Sequence, residues 1–298
     1  MSAKLKIIFA MAVFGTIALF VKNIPLSTGE ISLYRAVIAT ISILLYKKFS
    51  GTKLEFSKIK KDIPVLFLSG AVMGFNWILL FQAYKYTTVS LATLSYYFAP
   101  VLIIALCPII FKEKITVKQI ICFIMATLGL VMIIGVGGIS TSGSNFIGIL
   151  YGLGAAALYA TVIILNKFIK NITGIDKTLI QFIAAIIVLT PYVISTSGIN
   201  ITGISSSGLI NLLILGIFHT GFTYCLYFSS VKDLTGQEAA LLSYVDPLVS
   251  IILSVTILGE GINGIQILGG AMILGFTLLN EVNVPRLKVV DSEESIEK

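Results

Sequence analysis

"TLSYYFAPVLIIALCP" (Thr93 to Pro108) and "LLSYVDPLVSIILSV" (Leu241 to Val255) are two versions of one phrase, and only the second carries an acid, Asp246. Pairing Pro100 with Pro247 sets an offset of 147 (247 − 100), which holds without a gap from residue 75 to residue 120. Two apolar helices match by chance in leucine and isoleucine, but rarely in charged, amide and aromatic residues at one offset. The informative identical pairs are Lys85/Lys232, Tyr97/Tyr244, Glu113/Glu260 and Gln119/Gln266. The chain therefore contains an internal duplication.

The composition is that of a membrane protein. Of the 298 residues, 57% are hydrophobic and 12% are charged, whereas soluble domains carry about 25% charged residues. The apolar residues form segments of about 20, the length that crosses a bilayer as a helix. Continuous apolar runs, without strand-like alternation, favour helices over a closed barrel. We predict an all-α integral membrane protein with ten transmembrane helices, at residues 5–21, 28–46, 64–84, 88–110, 116–136, 146–166, 178–195, 208–230, 236–258 and 263–281.

Basic residues fall mainly on one side of this ten-span topology. With the N-terminus in the cytoplasm, the external segments keep only Lys22 and Lys85. Basic residues concentrate on the side that is not translocated, so we place both termini in the cytoplasm, with the protein in the cell membrane. The formal charge of +7 then reflects the orientation of the chain in the membrane, and we expect no nucleic-acid partner. The cytoplasmic basic residues are Lys4, Lys6, Lys47, Lys48, Lys53, Lys58, Lys60, Lys61, Lys112, Lys114, Lys118, Lys167, Lys170, Lys177, Lys232, Arg286, Lys288 and Lys298.

Each copy of the duplication holds five spans, an odd number, so the second copy enters the membrane in the opposite sense. Lys85 is expected outside and its counterpart Lys232 inside. We predict one five-helix repeat at residues 1–138, a second at 146–281 and a disordered cytoplasmic tail at 282–298. Inverted repeats around a shared site at the midplane are typical of alternating-access transporters.

The stretch from Tyr224 to Gly275 resembles the repeat of the EamA-like family in the drug/metabolite transporter superfamily. The shared marks are an aromatic-rich third helix, a small-residue-rich fourth helix with a central proline, and "GE" at its end (Gly259 and Glu260). "SLYRAVIA" (Ser32 to Ala39) is similar to the family's arginine-bearing second helix. The resemblance implies a central cavity lined by the third and fourth helices of each half, with the first and second helices moving around them. Family members carry amino acids, other metabolites, quaternary amines and drugs.

Two charges inside spans are candidates for coupling or gating. Asp246 costs about 2.5–3.5 kcal/mol at the centre of a span unless it meets water, a partner or a proton. It is either a protonatable or cation-binding acid, or a carboxylate bonded to an amide exposed by the helix break at Pro247. Arg35 is matched by Gln181 at an offset of 146 (181 − 35). It either binds a substrate carboxylate or phosphate, or pairs with helix-end carbonyls or Glu30.

Polar and aromatic residues supply the candidates for substrate binding. His219, the only histidine, either relays protons with Asp246 or is a neutral hydrogen-bonding residue. Aromatic walls with polar tips suit aromatic amino acids, flat heterocycles or organic cations. The alternatives are packing for the repeated Tyr97 and Tyr244, and an interfacial belt for Tyr46, Tyr84, Tyr86 and Tyr192. The candidate set for substrate binding is Asn76, Trp77, Tyr97, His219, Tyr224 and Tyr244. Three small-residue pairs, Gly70/Gly74, Gly148/Gly152 and Ala271/Gly275, predict close helix packing.

These patterns predict a secondary active transporter that exports a small organic solute by alternating access, with proton coupling as an option. An importer of a quaternary amine or nucleobase-like solute is an alternative, as is a channel built between chains. A membrane-embedded enzyme is a further alternative, and it would need Ser243, His219 and Asp246 in mutual contact. We expect no enzyme activity, no cofactor and no metal. The expected partners are a small-molecule substrate and the lipid bilayer; a monomer suffices, and a homodimer stays open.

Overall fold

Every regular element in the described part of the chain is helical. The computed structural model describes residues 2–51, 59–112, 115–137, 143–172, 174–231, 233–234 and 236–282. A 3-10 turn at Ile201–Gly203 and a π-helical segment at Ile214–Phe222 accompany the α-helices. These are α1 Ala3–Gly15, α2 Ile17–Val21, α3 Thr28–Ser50, α4 Ile63–Tyr86, α5 Val89–Tyr96, α6 Ala99–Phe111, α7 Val117–Gly137, α8 Gly143–Asn166, α9 Gly174–Thr196, α10 Ser206–Leu213, α11 Thr223–Val231, α12 Gly236–Ser243, α13 Val245–Thr256 and α14 Gly264–Val282.

The helices have the length and composition of membrane spans. Within the described residues, seven helical stretches are long and apolar enough to cross a bilayer, and three further apolar helices are shorter. All ten predicted segments coincide with helices to within a few residues at their ends. The prediction of a multi-pass helical membrane protein is therefore confirmed. The tail from residue 283, together with Glu113 and Lys232, lies outside the described residues. The seven stretches are Ala3–Val21, Thr28–Ser50, Ile63–Tyr86, Val89–Phe111, Gly143–Asn166, Gly174–Thr196 and Ser206–Val231.

Local sequence explains where α3 begins and ends. Ser27 caps its first turn by accepting a hydrogen bond from the backbone N–H of Glu30, and Glu30 accepts one in return from the N–H of Ser27. This capping box satisfies two amides that a helix start otherwise leaves unpaired. Gly51 ends the helix with φ at 68°, a left-handed conformation that costs glycine little. The capping box thereby holds the Glu30 carboxylate at the start of α3. Glu30 is one of the partners that the sequence suggests for Arg35.

The two copies of the duplicated phrase break at the same place. Tyr97 and Phe98 separate α5 from α6, and Tyr244 separates α12 from α13. Pro100 and Pro247 lie in the first turn of the second helix in each copy, where a missing N–H costs no intrahelical bond. The predicted break at Pro247 is confirmed, and its twin occurs in the first half.

A π-helical segment, Ile214–Phe222, interrupts the helix that runs from α10 into α11. The Thr220 hydroxyl donates to the Leu215 carbonyl at 2.8 Å, and the Thr223 hydroxyl to the Phe218 carbonyl at 2.7 Å. Both bonds reach five residues back, the spacing of a π-helix. The side chains of this segment therefore help to satisfy carbonyl groups that the wider turn displaces.

Small residues allow close helix crossings at several places. A side chain on Gly70 or Gly74 of α4 would collide with α9, at Gln181 and Leu189 respectively. Gly148 approaches Thr87 and Gly152 approaches Ser95, so these two predicted pairs are confirmed as packing points. The third prediction is wrong for Gly275, because a side chain there would meet no described atom within 4 Å. The actual crossing of α7 and α14 pairs Gly129 with Gly269.

Polar contacts distinguish the two ends of the helix bundle. At one end, named the Lys22 end, Lys22 pairs with Glu260, and the Lys85 ammonium donates to the Leu26 carbonyl at 2.9 Å. The opposite end, named the Lys4 end, holds the ion pair of Lys4 with Glu238 at 2.8 Å and that of Lys47 with Asp176 at 2.5 Å. The only basic residues predicted outside thus share one end of the bundle.

Candidate functional site

Four polar side chains are half-buried where both copies of the duplicated phrase meet. Tyr96, Tyr97, Tyr224 and Asp246 each keep part of their surface accessible. They come from α5, α11 and α13 and from the break after α5. We name the space beside these four side chains the hollow.

Asp246 contacts the opposite copy through one hydrogen bond. The Tyr97 hydroxyl donates to Asp246 Oδ2 at 2.8 Å, and the Tyr97 and Tyr244 rings lie 6.4 Å apart. Within the described residues, no backbone amide donates to this carboxylate. The alternative in which Asp246 bonds an amide exposed at the proline break is therefore wrong here, and Oδ1 remains available to the hollow.

Among the residues that the structure describes, Arg35 is buried without a carboxylate partner. Its residue is 3% exposed, its Nε donates to Thr220 Oγ1 at 2.7 Å, and its guanidinium lies 4.6 Å from the centre of the Trp77 ring. No ion pair with Arg35 occurs among the described residues. Glu30 accepts instead from Ser27 and from the backbone N–H of Asn200, the latter at 2.7 Å, so the proposed Arg35–Glu30 pair does not form.

Tyr84, on α4, is one of the tyrosines expected in an interfacial aromatic belt. Tyr84 is only 7% exposed and belongs to the main core cluster. Its assignment to an interfacial aromatic belt is therefore wrong: the ring faces the interior because its helix face, and not its distance from the helix end, decides its environment.

Aromatic rings continue the wall away from Arg35. Trp77 packs edge-on against Phe182 with centroids 5.4 Å apart, and Phe182 in turn contacts Tyr224 at 5.5 Å. Tyr224 also meets Phe14 of α1 at 5.3 Å. The series joins α4, α9, α11 and α1, so one surface carries rings from both halves of the chain.

Three of the predicted binding residues make contacts that hold helices together. The Asn76 amide donates to the Ala155 carbonyl of α8 at 2.6 Å, and the Tyr244 hydroxyl donates to Thr277 of α14 at 2.8 Å. His219 is 1% exposed and its Nε2 lies 2.7 Å from the Thr16 hydroxyl, at the break between α1 and α2. Its contacts within the described residues do not include Asp246. The structure therefore places Arg35 against Trp77 and Tyr97 against Asp246, while Asn76, Tyr244 and His219 bond residues outside the candidate set.

Sequence reasoning missed Thr220, which anchors Arg35, and the π-helix that carries it. A signal was present in the glycine spacing. Gly70 and Gly216 differ by 146 (216 − 70), while Gly74 and Gly221 differ by 147 (221 − 74). The second copy thus contains one extra residue between these glycines, and a one-residue insertion inside a helix is accommodated as a π-helical turn.

Comparisons with known proteins agree with this architecture. The sequence model of the EamA-like transporter family matches residues 1–135 and again residues 146–281. The chain belongs to the EamA-like transporter family. It is 30% identical over 274 residues to the uncharacterized transporter YxxF of Bacillus subtilis (strain 168), which covers 91% of this chain and 87% of that one. An uncharacterized transporter of Archaeoglobus fulgidus is 24% identical over 92% of this chain and 94% of that protein. A solved crystal structure shares the fold, with a TM-score of 0.62 at 18% identity over 94% of this chain and 96% of that one.

Membership of the EamA-like family implies a bilayer environment and a small-molecule substrate, and it indicates a transporter rather than an enzyme. The groups that a membrane enzyme would need are engaged separately, since the Ser243 hydroxyl donates to the Ala239 carbonyl at 2.9 Å and His219 contacts Thr16. Within the described ranges, no group of three or more His, Cys, Asp or Glu side chains is placed to hold a metal ion. The polar chemistry of the site is that of binding by charge, hydrogen bonds and rings.

Proposed function

We propose that this EamA-like protein is a secondary active transporter that exports a small organic solute across the cell membrane by alternating access. Ten transmembrane helices form two inverted halves, residues 1–138 and 146–281, with both termini in the cytoplasm. One chain is a complete transport unit, and proton coupling runs through Asp246. The observation that carries the proposal is the exchange symmetry of the helix packing around the hollow.

Each main contact between two helices has a matching contact between the corresponding helices of the other half. A twofold rotation that exchanges the halves would turn one contact into the other. Helix α4 packs on α9, and its counterpart, the π-helical segment, packs on α3. Helix α8 contacts α4 and α5, and its counterpart α1 contacts α11, α12 and α13. The last helix of each half, α7 and α14, pack on each other, as an exchange requires. This pattern supports two equivalent halves related by an axis through the hollow.

The broken helix formed by α12 and α13 fits the ten-span count. Neither α12 nor α13 is long enough to cross a bilayer alone, but α12 carries Glu238 at the Lys4 end and the residues after α13 carry Glu260 at the Lys22 end. The pair therefore extends from one end of the bundle to the other, as the pair α5 and α6 does in the first half. Broken helices of this kind, meeting at the midplane, are typical of transporter binding sites.

A polar network closes the Lys22 end above the hollow. Glu260 pairs with Lys22, accepts from the backbone N–H of Val89 at 2.6 Å and accepts from the Ser254 hydroxyl. The backbone N–H of Ser90 donates to Ser254 Oγ at 3.2 Å. These bonds join the ends of α2, α5 and α13, which belong to different halves. Breaking them is the local cost of opening this end, and we propose that the network acts as the outer gate.

Accessibility labelling tests the inverted arrangement. Single cysteines at Lys85 and Lys232, in a background without Cys107, Cys122 and Cys225, should react with an impermeant maleimide from opposite faces of the membrane. Labelling from the same face would contradict the inversion and with it the shared mechanism. Matched cysteines at Lys22 and Lys85 serve as the control, because both should react from outside.

Transport itself is tested in proteoliposomes. Purified protein should exchange a radiolabelled solute from a panel of amino acids, amines and nucleobases, at a rate that depends on the solute gradient and not on ATP. Folded protein that moves no member of the panel would count against the proposal. Vesicles without protein provide the control, since they report how much solute crosses the lipid unaided.

A further inference from the structure

The break in the first predicted span lies between two parts of the second half. Thr16 separates α1 from α2, and its hydroxyl lies 2.7 Å from Nε2 of His219 in the π-helical segment. Its neighbour Gly15 packs directly on α13, since a side chain at this position would lie 2.6 Å from the carbonyl oxygen of Asp246. The break therefore connects the π-helical segment with the first turn of the helix that carries Asp246.

His219 has partners on both sides of this break. Its Nδ1 lies 3.2 Å from the Ile214 carbonyl, five residues back in its own helix. Its ring packs against Phe20 of α2, with centroids 4.6 Å apart, while Nε2 meets Thr16. The imidazole is 1% exposed, and close packing on several sides restricts a buried side chain to one rotamer. His219 is therefore a fixed point that holds α1 and α2 at their junction.

The corresponding helix of the second half has no break. "VFGTIAL" (Val13 to Leu19) aligns with "LYATVII" (Leu158 to Ile164) at an offset of 145 (161 − 16), which pairs Thr16 with Thr161. Helix α8 runs without interruption through Thr161 to its end. The Thr161 hydroxyl donates to the Ala157 carbonyl of the same helix at 2.9 Å, a local bond that threonine often makes within helices. Thr161 thus bonds its own helix, whereas Thr16 also meets the opposite half.

The position of His219 has no polar counterpart in the first half. Offsets of 146 and 147 match it with Met73 (219 − 146) and Val72 (219 − 147). Neither of these side chains carries an N–H or O–H donor. The broken helix and the histidine that meets it therefore occur together, next to Asp246. This pairing indicates a task linked to the acid rather than packing common to both halves.

We propose that His219 and Gly15 are positioning residues for Asp246. His219 fixes the break at Thr16, and Gly15 beside it sets how closely α1 approaches the first turn of α13. The inference rests on the proposed role of Asp246 in transport and adds two residues that hold its carboxylate in place. His219 acts through Thr16 and Gly15, because its own contacts within the described residues do not include Asp246.

The bond between Tyr97 and Asp246 makes this position critical. The Tyr97 hydroxyl donates to Oδ2 of Asp246 at 2.8 Å, across the two copies of the duplicated phrase. Hydrogen bonds weaken steeply when their distance or angle departs from the preferred range. A shift of α13 relative to the break after α5 would therefore weaken this bond. Gly15 opposes such a shift in one direction, since α1 lies against the backbone of Asp246.

Infrared spectroscopy of the protein in lipid nanodiscs measures the Asp246 carboxyl group directly. Its band is identified as the one that Asp246→Asn removes, and the frequency of that band depends on the hydrogen bonds of the group. Thr16→Val deletes the hydroxyl that meets His219 and keeps the shape of the side chain, so the Asp246 band should shift. Thr161→Val is the matched control at the corresponding position of α8, and it should leave the band unchanged.

Substitutions at the two positioning residues extend the test. Gly15→Ala installs the residue found at position 160 and places a methyl group 2.6 Å from the Asp246 carbonyl oxygen, so α13 must move and the band should shift. His219→Leu should shift the band too, because it removes the contact with Thr16. His219→Gln should restore most of the original frequency, because its amide still reaches Thr16.

The Thr16→Val variant decides the proposal, because removing one hydroxyl is the change least able to unfold the protein. An unchanged Asp246 band in this variant overturns the proposal, and so does an equal shift in Thr161→Val. A shift that the control lacks supports it.

This outcome is separable from failure of the transport function, since the infrared band needs no solute. Thr16→Val should also lower the initial transport rate in proteoliposomes by about tenfold, the effect of losing a hydrogen bond to a charged group. A shifted band in protein that moves no solute would support the positioning role and count against transport. Normal transport together with an unchanged band would overturn the positioning role alone.

Discussion

Helix α4 in the first half and its counterpart in the second contain equivalent glycine pairs on different backbones. Gly70 and Gly74 are four residues apart on a regular α-helix, whereas Gly216 and Gly221 are five apart on the π-helical segment. Both pairs perform the same task, letting their helices approach α9 and α3 respectively. The extra residue in the second half places Thr220, which anchors Arg35. Packing is thus shared by the two halves, while site chemistry lies where they differ.

The two halves also differ at the two charges Arg35 and Asp246, and at the tryptophan ring of Trp77. Arg35 corresponds to Gln181, Asp246 to Ala99, and Trp77 to Tyr224. At these three pairs of positions one copy departs from the other, whereas Tyr97 is repeated as Tyr244. Changing such a residue to its counterpart makes the halves more alike, so these substitutions test whether function depends on the asymmetry.

The largest effect is expected from Arg35→Gln, which installs the residue found at position 181. Loss of the guanidinium removes the buried positive charge that contacts Thr220 and Trp77, and breaking a buried charged contact costs about 2–5 kcal/mol. Initial transport rates in proteoliposomes should fall by about a hundredfold or more. Thermal unfolding should show a folded variant, since a glutamine fills most of the same volume. A rate close to that of the unaltered protein would assign Arg35 to structure.

Asp246→Asn should have the next largest effect, on the pH dependence of transport. The unaltered protein exchanges a proton at this carboxylate if the acid couples transport, so its rate should vary with pH. The asparagine cannot titrate, and the profile should become flat. The measurement is the initial rate in proteoliposomes buffered at a series of pH values. An unchanged profile would show that the proton enters elsewhere or that transport is uncoupled.

Trp77→Ala should weaken substrate binding by about 1–2 kcal/mol, the value of a desolvated ring face for a cation. The ring supports the Arg35 guanidinium, so its loss loosens the position of Arg35. Trp77→Tyr, which copies Tyr224, should retain most of the affinity because it keeps an aromatic face. The concentration for half-maximal transport measures both variants. Equal affinity of the alanine variant and the unaltered protein would leave Trp77 with a packing role only.

Local sequence encodes some features of this fold, and others depend on contacts between distant parts of the chain. Helix positions were predictable because a bilayer requires about 20 apolar residues per span. The break at Pro247 was predictable because proline lacks the donor that a continuous helix needs. The hydrophobic period did not reveal the π-helical segment, because that segment depends on hydrogen-bond register; its sequence signal is the extra residue between Gly216 and Gly221. The position of His219 against Thr16 depends on a contact 203 residues apart along the chain, which no local pattern encodes.

The smallest effects are expected from removing the hydroxyl groups of the repeated tyrosines, Tyr97 and Tyr244, and they should differ between the two. The Tyr244 hydroxyl bonds the neutral Thr277, while the Tyr97 hydroxyl bonds the Asp246 carboxylate. A hydrogen bond between neutral groups in a membrane protein is worth about 0.6 kcal/mol on average, and a bond to a charged group about 1.5–3 kcal/mol. Tyr244→Phe should therefore lower the unfolding temperature slightly and leave transport unchanged. Tyr97→Phe should change the pH profile of transport, because it alters the surroundings of the acid. If the two variants behaved alike, the repeated tyrosines would serve packing in both halves, and the difference between the two copies of the phrase would reduce to Asp246 itself.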